Sequence, residues 1–513
     1  MKKVQSTCNF CALACNLDFY VENEQILKVV PTPHYPVNKG FSCIKGISLD
    51  KQHTMIKPSS MPRIRVNGEM QETSWDEAYK LVADKLLAIK EEHGGDAIAG
   101  ISTGQIPLEE MALFSHVLRN FLRGSVDGNT RLCMATSVVA HKQSFGFDAP
   151  PYTLNDFELS DTIFLIGANP VVTHPIIWDR IRKNKNKKVI VIDPRRSETA
   201  QNADYHYGVN GKTDIYLFYG LANILIEKDY LDHDYIANHT ENFDGFKALI
   251  AQYTPEIVAE KTGLKVEDLY EMAELIHTGE RVSLWWTMGI NQGYEAVRTA
   301  QSIINIALMT GNIGKPGTGA NSLTGQCNAM GSRAFSNSAG LYGGGDYDNV
   351  ARRAAVCEAL EITDEQLINK PTLPYNVIIE KINAGEIKAL WVLCTNPRHS
   401  WTNNSTFEEA IKKLDLFIVQ DIFGDTHTSE NCDVFFPVVP GLKKEGTYIN
   451  TERRLSPMRP VLTKGENERT DFEVFLGVGE ALGMGSLLDK WQTPKAVFEM
   501  MKKCSKGMPC DIT

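Results

Sequence analysis

Thr162-Ile-Phe-Leu-Ile-Gly-Ala-Asn-Pro170 is a short apolar strand that runs straight into a loop of small and polar residues. The pattern returns at Lys188-Val-Ile-Val-Ile-Asp-Pro-Arg-Arg196, Val282-Ser-Leu-Trp-Trp-Thr-Met-Gly-Ile-Asn-Gln292, Ala389-Leu-Trp-Val-Leu-Cys-Thr-Asn-Pro397 and Leu416-Phe-Ile-Val-Gln-Asp421. Strands that stay apolar without alternation are buried on both faces. With amphipathic helices between them they predict an α/β chain of parallel sheets covered by helices. Ligands of such folds sit beyond the carboxyl ends of the strands. Two of these ends are alike, Gly167-Ala-Asn-Pro170 and Cys394-Thr-Asn-Pro397. Each is followed by a helical stretch and another strand, ending near Asp193 or Asp421. The likeness predicts two related half-sites, each for one nucleotide-like group. Two ordinary turns are the alternative, since Asn-Pro is common turn chemistry.

Cys8, Cys11 and Cys15 crowd into the N-terminus, and Cys43 follows in Phe-Ser-Cys-Ile-Lys-Gly. Four thiolates hold a [4Fe-4S] cluster, with short spacings wrapping one side and a distant Cys closing the other. A structural zinc ion also accepts four Cys. Zinc sites more often pair two short halves, whereas here three ligands face one. The cluster reading implies that electrons move through the chain.

The 513 residues exceed one compact core, so several domains share them. A hydrophobic content of 43% and a charged content of 23% are ordinary for a soluble protein. The net charge of −10 argues against a nucleic-acid partner. No apolar run approaches the roughly 18 residues that span a bilayer, so no membrane partner is expected. The N-terminus has neither a secretory hydrophobic core nor a twin-arginine pair. The eleven cysteines are scattered after the first four and fit a reducing compartment. The expectation is a cytoplasmic protein.

Lys57-Pro-Ser-Ser-Met-Pro62 reads as a linker. Thr73-Ser-Trp-Asp-Glu77 reads as a capped helix start. Cys133, at a helix-like start in Asn129-Thr-Arg-Leu-Cys-Met134, is a candidate soft metal ligand or a core cysteine. Thr310-Gly-Asn-Ile-Gly-Lys-Pro-Gly-Thr-Gly319 lets the backbone approach a ligand but lacks P-loop spacing. Ser322-Leu-Thr-Gly-Gln326, continuing to Arg333, suits a cavity wall for an anion. Lys444-Glu-Gly-Thr-Tyr-Ile-Asn-Thr-Glu-Arg-Arg454 reads as a polar, charged hairpin.

Taken in order, these motifs resemble the molybdenum or tungsten bis-pterin oxidoreductases with an N-terminal [4Fe-4S] cluster, a family that includes formate dehydrogenase and nitrate reductase catalytic subunits. The resemblance implies a small cluster module at 1–57. It implies a first α/β domain at 58–130 with 331–513, and a second, dinucleotide-type one at 131–330. Both are doubly wound and Rossmann-like. It implies Cys8, Cys11, Cys15 and Cys43 as cluster ligands and Cys133 as the molybdenum ligand. Lys45 would lie between the cluster and the nearer pterin. Gln105, Asn129, Gly167, Asn169, Asp193, Asp214, Met288, Gln292, Gln326, Asn396 and Asp421 match positions along the arms of molybdopterin guanine dinucleotide.

Formate dehydrogenases of this family typically follow the metal-binding Cys or selenocysteine with His, and carry Arg-Gly-Gln later. Here the residues are Met134 and Thr324, and the surrounding motifs look like the cytoplasmic assimilatory and periplasmic nitrate reductases, the missing export signal favouring the assimilatory type. The implied activity is reduction of nitrate to nitrite by oxygen-atom transfer at a molybdenum bis(molybdopterin guanine dinucleotide) centre fed by the cluster. Met134 would form an apolar wall by the metal, and Arg333 would orient nitrate or pair with a carboxylate. Tungsten in place of molybdenum, another bis-pterin enzyme of the formate dehydrogenase kind, and a cofactor-binding chain without turnover remain open. Electrons would come from a partner such as a ferredoxin, flavodoxin or flavoprotein subunit. Relatives continue past the equivalent of Thr513 into a β-barrel-like domain that covers part of the cofactor. The sequence given stops before that domain, so a fragment, a truncated reading frame and one part of a split enzyme with a separate covering domain are the alternatives.

Overall fold

The computed structural model describes residues 1–55, 60–148, 150–335 and 340–513. Positions 57–59 of the expected linker lie outside the described residues. The chain forms two compact units, 1–131 with 326–513, and 132–325.

The first unit carries a three-stranded antiparallel sheet, Lys2–Thr7, Asn16–Glu22 and Gln25–Pro31, and a seven-stranded sheet. The order in the larger sheet is Glu69–Glu72, Arg63–Val66, Val434–Pro437, Leu416–Asp421, Ala389–Leu393, Ile98–Ser102 and Ser125–Gly128. The last five run parallel, and the first two form an antiparallel edge. Chain direction across the sheet reverses between Ala389–Leu393 and Ile98–Ser102. Loops diverge at such a switch point and leave a crevice. The helix Trp75–His93 starts as its sequence predicts: Glu77 N–H donates to Ser74 Oγ, and Ser74 N–H donates to Glu77 Oε2, both at 3.2 Å. Its Trp75 stacks on Phe436 with ring centroids 6.0 Å apart, in a core that also holds Phe114, Trp391 and Phe475. Each such ring contributes roughly 1.5–3 kcal/mol by leaving water.

The second unit holds an all-parallel sheet ordered Tyr205–Tyr207, Lys188–Ile192, Thr162–Ile166, Val282–Trp286, Gly319–Ser322. Its switch point lies between Thr162–Ile166 and Val282–Trp286. The helices Asp214–Glu227, Val266–Thr278 and Ala296–Met309 pack their apolar faces into one core with Phe164, Ile190 and Trp286. The apolar strands are buried throughout, which is the parallel α/β architecture the sequence predicts. Among the described residues no sheet closes into a barrel, and no helix is long and apolar enough to cross a membrane.

Candidate functional site

The cysteine module is built by a hairpin. Cys8 follows the first strand and Cys15 precedes the second, and Cys8 N–H donates to Cys15 O at 2.7 Å, closing the loop into a ring. Inside it Ala14 adopts φ +50° and its N–H donates to Cys11 O at 3.2 Å. Cys43 caps the helix Ile44–Ile47. Burial raises the thiols of Cys8, Cys11 and Cys15, and each feels the charge of at least one other member of the quartet, Cys43 included. A Cβ on Gly46 would come within 2.8 Å of Ser42 Oγ and 3.7 Å of Cys8 Sγ, so glycine keeps this cradle open. Among the described residues no group of three or more His, Cys, Asp or Glu is placed to hold a single metal ion. Four thiols that feel one another's charge on a three-plus-one spacing are a donor set suited to an iron–sulfur cluster. Lys45 lies in the same short helix, 5.4 Å from the Phe10 ring, and its charge pulls against the rise at Cys11.

The loop is anchored by the hairpin that the polar segment from Lys444 predicts. Gly446–Ile449 pairs with Leu455–Met458. At its tip Asn450 Nδ2 donates to Leu13 O at 3.1 Å and Thr451 N–H to Ala12 O at 2.8 Å. Lys444, just before it, is buried, not exposed. It pairs with Glu110 at 3.3 Å and with Asp471.

At the switch point of the seven-stranded sheet, Gly104 N–H donates to Gln326 Oε1 at 3.0 Å and to Asn129 Oδ1 at 3.3 Å. Asn129 Nδ2 reaches Thr395 Oγ1 at 3.3 Å, beside Asn396. Gln105, Asn129, Gln326 and Asn396 therefore gather in one loop cluster, and Asp421 ends the neighbouring strand. A Cβ at Gly104 would meet Gln326 Oε1 and Thr130 Cγ2 at 2.5 Å, so glycine is what lets these loops close on one another. Burial, with help from Asp471, pushes Asp421 up to about 7.

Gly167, Asn169, Asp193, Asp214 and Met288 gather likewise at the switch point of the second unit. Burial raises Asp214, and the nearby Asp193 charge adds to the rise. Gly167 has φ +53°, and a Cβ there would lie 2.7 Å from Gly289 Cα, so two loops touch through bare backbone.

The two half-sites match atom for atom over a longer stretch than the Asn-Pro motif. Gly167 N–H donates to Ile192 O at 2.9 Å, and Cys394 N–H to Gln420 O at 2.8 Å. Gly167 and Cys394 share the left-handed backbone, φ +53° and +45°. Thr199 Oγ1 donates to Asn169 Oδ1 at 2.7 Å, and Thr428 Oγ1 to Asn396 Oδ1 at 2.6 Å. Each threonine oxygen also accepts a backbone N–H two residues past the asparagine, from Val171 and Arg398, both at 3.2 Å. Asp193 and Asp421 each accept a backbone N–H two residues on. Thr199 and Thr428 were missed. The signal was present: Thr199-Ala-Gln-Asn202 and Thr428-Ser-Glu-Asn431 form a second repeated element after each Asn-Pro.

Cys133 lies near the start of the helix Thr130–Phe145 and is partly exposed. A thiolate there is a soft donor suited to a metal. Met134, the next residue, is 1% exposed, and its sulfur accepts from Asn291 Nδ2 at 3.0 Å, inside the unit. Gln292 is exposed, with its amide donating to Leu132 O at 2.7 Å. Arg333 sits in the helix Ala329–Ala334 of the first unit.

A cluster-type thiol quartet together with two dinucleotide-type half-sites describes a redox protein built around large cofactors. Residues 58–481 match the molybdopterin oxidoreductase family, and residues 1–53 its Fe4S4 domain. A nitrate reductase of Synechocystis is 32% identical over 93% of this chain and 69% of its own length. A nitrate reductase of Symbiobacterium thermophilum is 33% identical over 98% and 69%. The alpha subunit of F420-dependent formate dehydrogenase 1 of Methanococcus maripaludis is 31% identical over 98% and 73%. Among solved structures, acetylene hydratase from Pelobacter acetylenicus superposes with TM-score 0.76 at 18% identity, over 97% of this chain and 71% of that one. The chain belongs to the molybdopterin oxidoreductase family.

Proposed function

We propose that the protein reduces nitrate to nitrite at a molybdenum bis(molybdopterin guanine dinucleotide) centre, with Cys133 as the protein ligand and a [4Fe-4S] cluster on Cys8, Cys11, Cys15 and Cys43. The matched half-sites support the paired dinucleotide form. Each offers one Asn-Thr lock, one strand-end Asp and backbone that a pyrophosphate can approach, enough for one arm apiece. A molybdenum centre held by Cys133 and the two half-sites would supply the two-electron couple for oxygen-atom transfer.

The observation that carries nitrate over formate is the residue after Cys133. Oxidising formate removes a proton along with two electrons, and a base beside the metal ligand serves that step. Met134 is no base, and its sulfur is turned to Asn291. Thr324 is buried, with its carbonyl 2.8 Å from His174 Nε2, and offers no cation to a carboxylate. Nitrate reduction consumes two electrons and two protons, and yields nitrite and water. Lys45 places a positive charge beside Cys11, where it favours electron density in passage from cluster to pterin. Arg333 is the candidate for drawing in nitrate, since a guanidinium matches a planar oxyanion. A redox protein, such as a ferredoxin, flavodoxin or flavoprotein subunit, would feed the cluster.

The test is paired turnover by the molybdenum-loaded protein: nitrite formed from nitrate with reduced viologen, and viologen reduced by formate. Nitrite formation that is lost in Cys133→Ala supports the reading. Formate oxidation without nitrite formation overturns it in favour of the dehydrogenase.

A further inference from the structure

Asn291 and Gln292 leave the strand Val282–Trp286 through the single turn Met288–Asn291 and grip both neighbours of Cys133. Gln292 Nε2 donates to the carbonyl of Leu132, the residue before it, at 2.7 Å. Asn291 Nδ2 donates to the sulfur of Met134, the residue after it, at 3.0 Å. The grip extends one turn further. Asn291 O accepts from Thr136 Oγ1 at 2.7 Å, and Asn291 Oδ1 accepts from Ser137 Oγ at 2.6 Å. Trp286 Nε1 donates to the same Asn291 oxygen at 3.1 Å, so the amide can turn neither way without losing a partner.

We propose that Asn291 and Gln292 are positioning residues that fix the direction of the Cys133 sulfur. The inference rests on the reading of Cys133 as a metal ligand. Early in a helix, backbone N–H groups lack partners within the helix and the turn frays most easily. A thiolate that must meet a metal at one bond length and angle needs that turn held from outside, and groups behind the ligand commonly do this. A thioether suits the position after Cys133 because it accepts one hydrogen bond, carries no charge and fills space in the core. The turn that bears the clamp is itself fastened to the half-site: Thr287 Oγ1 donates to Gly167 O at 2.6 Å, and Gly289 N–H to the same oxygen at 3.3 Å. A dinucleotide arm seated on the Gly167 loop would thus stiffen the clamp.

The experiment needs no metal for its first readout. The rate of alkylation of Cys133 by iodoacetamide is measured by mass spectrometry in the metal-free full-length chain, with exposed Cys510 and buried Cys504 as internal standards. Asn291→Ala loses the three side-chain hydrogen bonds of the amide, which raises the frayed population, and with it the Cys133 rate, at least about tenfold. Gln292→Ala and Met134→Leu each remove one contact and raise the rate by less. They carry the test if Asn291→Ala fails to fold. Acceleration confined to Cys133 supports the clamp. Equally accelerated hydrogen exchange across the strand Val282–Trp286 reports general loosening of the second unit and overturns it, as do unchanged rates in all variants. In loaded protein the same variants change the molybdenum(V) paramagnetic signal if the clamp acts on the ligand. Full molybdenum retention in Cys133→Ala would instead defeat the ligand reading while leaving the alkylation result standing.

Discussion

Removing the Lys444 ammonium tests the physics of the first unit most sharply. Lys444 is 5% exposed, Glu110 2% and Asp471 0%, so three ionisable groups share a site without water. Lys444 Nζ meets Glu110 Oε2 at 3.3 Å and pairs with Asp471, whose other oxygen accepts from Gln420 Nε2 at 2.6 Å. Burial works to lower Lys444, but Asp471 and Glu110 outweigh it and hold the ammonium above its ordinary value. Burial pushes Glu110 up to about 8 against the pull of Lys444. Lys444→Met keeps the volume and strands Asp471 without its cation, at a cost of about 3–5 kcal/mol. Adding Asp471→Asn removes the stranded charge, so the double variant recovers most of that loss, because neutralising both partners spares the desolvation of a lone ion. Urea unfolding of the wild type and the two variants measures both quantities. A loss under about 1 kcal/mol in the single variant, or a double variant no more stable than the single, would refute a buried ion pair.

The same site sets a pH dependence. The folded value of Glu110 lies above its ordinary 4.5, so the stability it contributes is full below about 4.5 and is lost as pH rises through about 8. Glu110→Gln flattens that decline in a series of unfolding curves from pH 5 to 9. Each of Cys8→Ser, Cys11→Ser, Cys15→Ser and Cys43→Ser lowers bound iron and the cluster absorbance, whereas Cys327→Ser leaves iron content unchanged. Thr199→Val and Thr428→Val each leave an Asn oxygen and a backbone N–H short of a partner, costing roughly 1–3 kcal/mol. Both variants release guanine nucleotide from loaded protein faster than wild type. Gly167→Ala sets a methyl 2.7 Å from Gly289 Cα at a left-handed φ, so it destabilises the second unit by more than the roughly 1 kcal/mol of an ordinary helix Gly/Ala difference.

The strands were legible because burial on both faces writes an unbroken apolar run, as in Thr162–Ile166 and Ala389–Leu393. The half-site loops were legible because Asn-Pro repeats at matching strand ends. The locks on them were not: Thr199 and Thr428 lie some thirty residues past their asparagines, and only the parallel strand order brings them back. The hydrogen bond from Asn291 to Met134 was not legible, because the residue after Cys133 points about 100° away around the helix, here into the core. The burial of Lys444 was not legible because charge usually seeks water. Its partners Glu110 and Asp471 come from distant helices that no local pattern links to it. Asn291 escaped notice because its role is to hold another residue, which leaves no mark on its own spacing.

The most direct test of a cluster-fed molybdopterin centre is metal and nucleotide content per chain after anaerobic purification. The account predicts about four iron and one molybdenum, with two guanine nucleotides released on acid hydrolysis. Zinc in place of iron at the quartet, or molybdenum retained in full without guanine nucleotide, would contradict it.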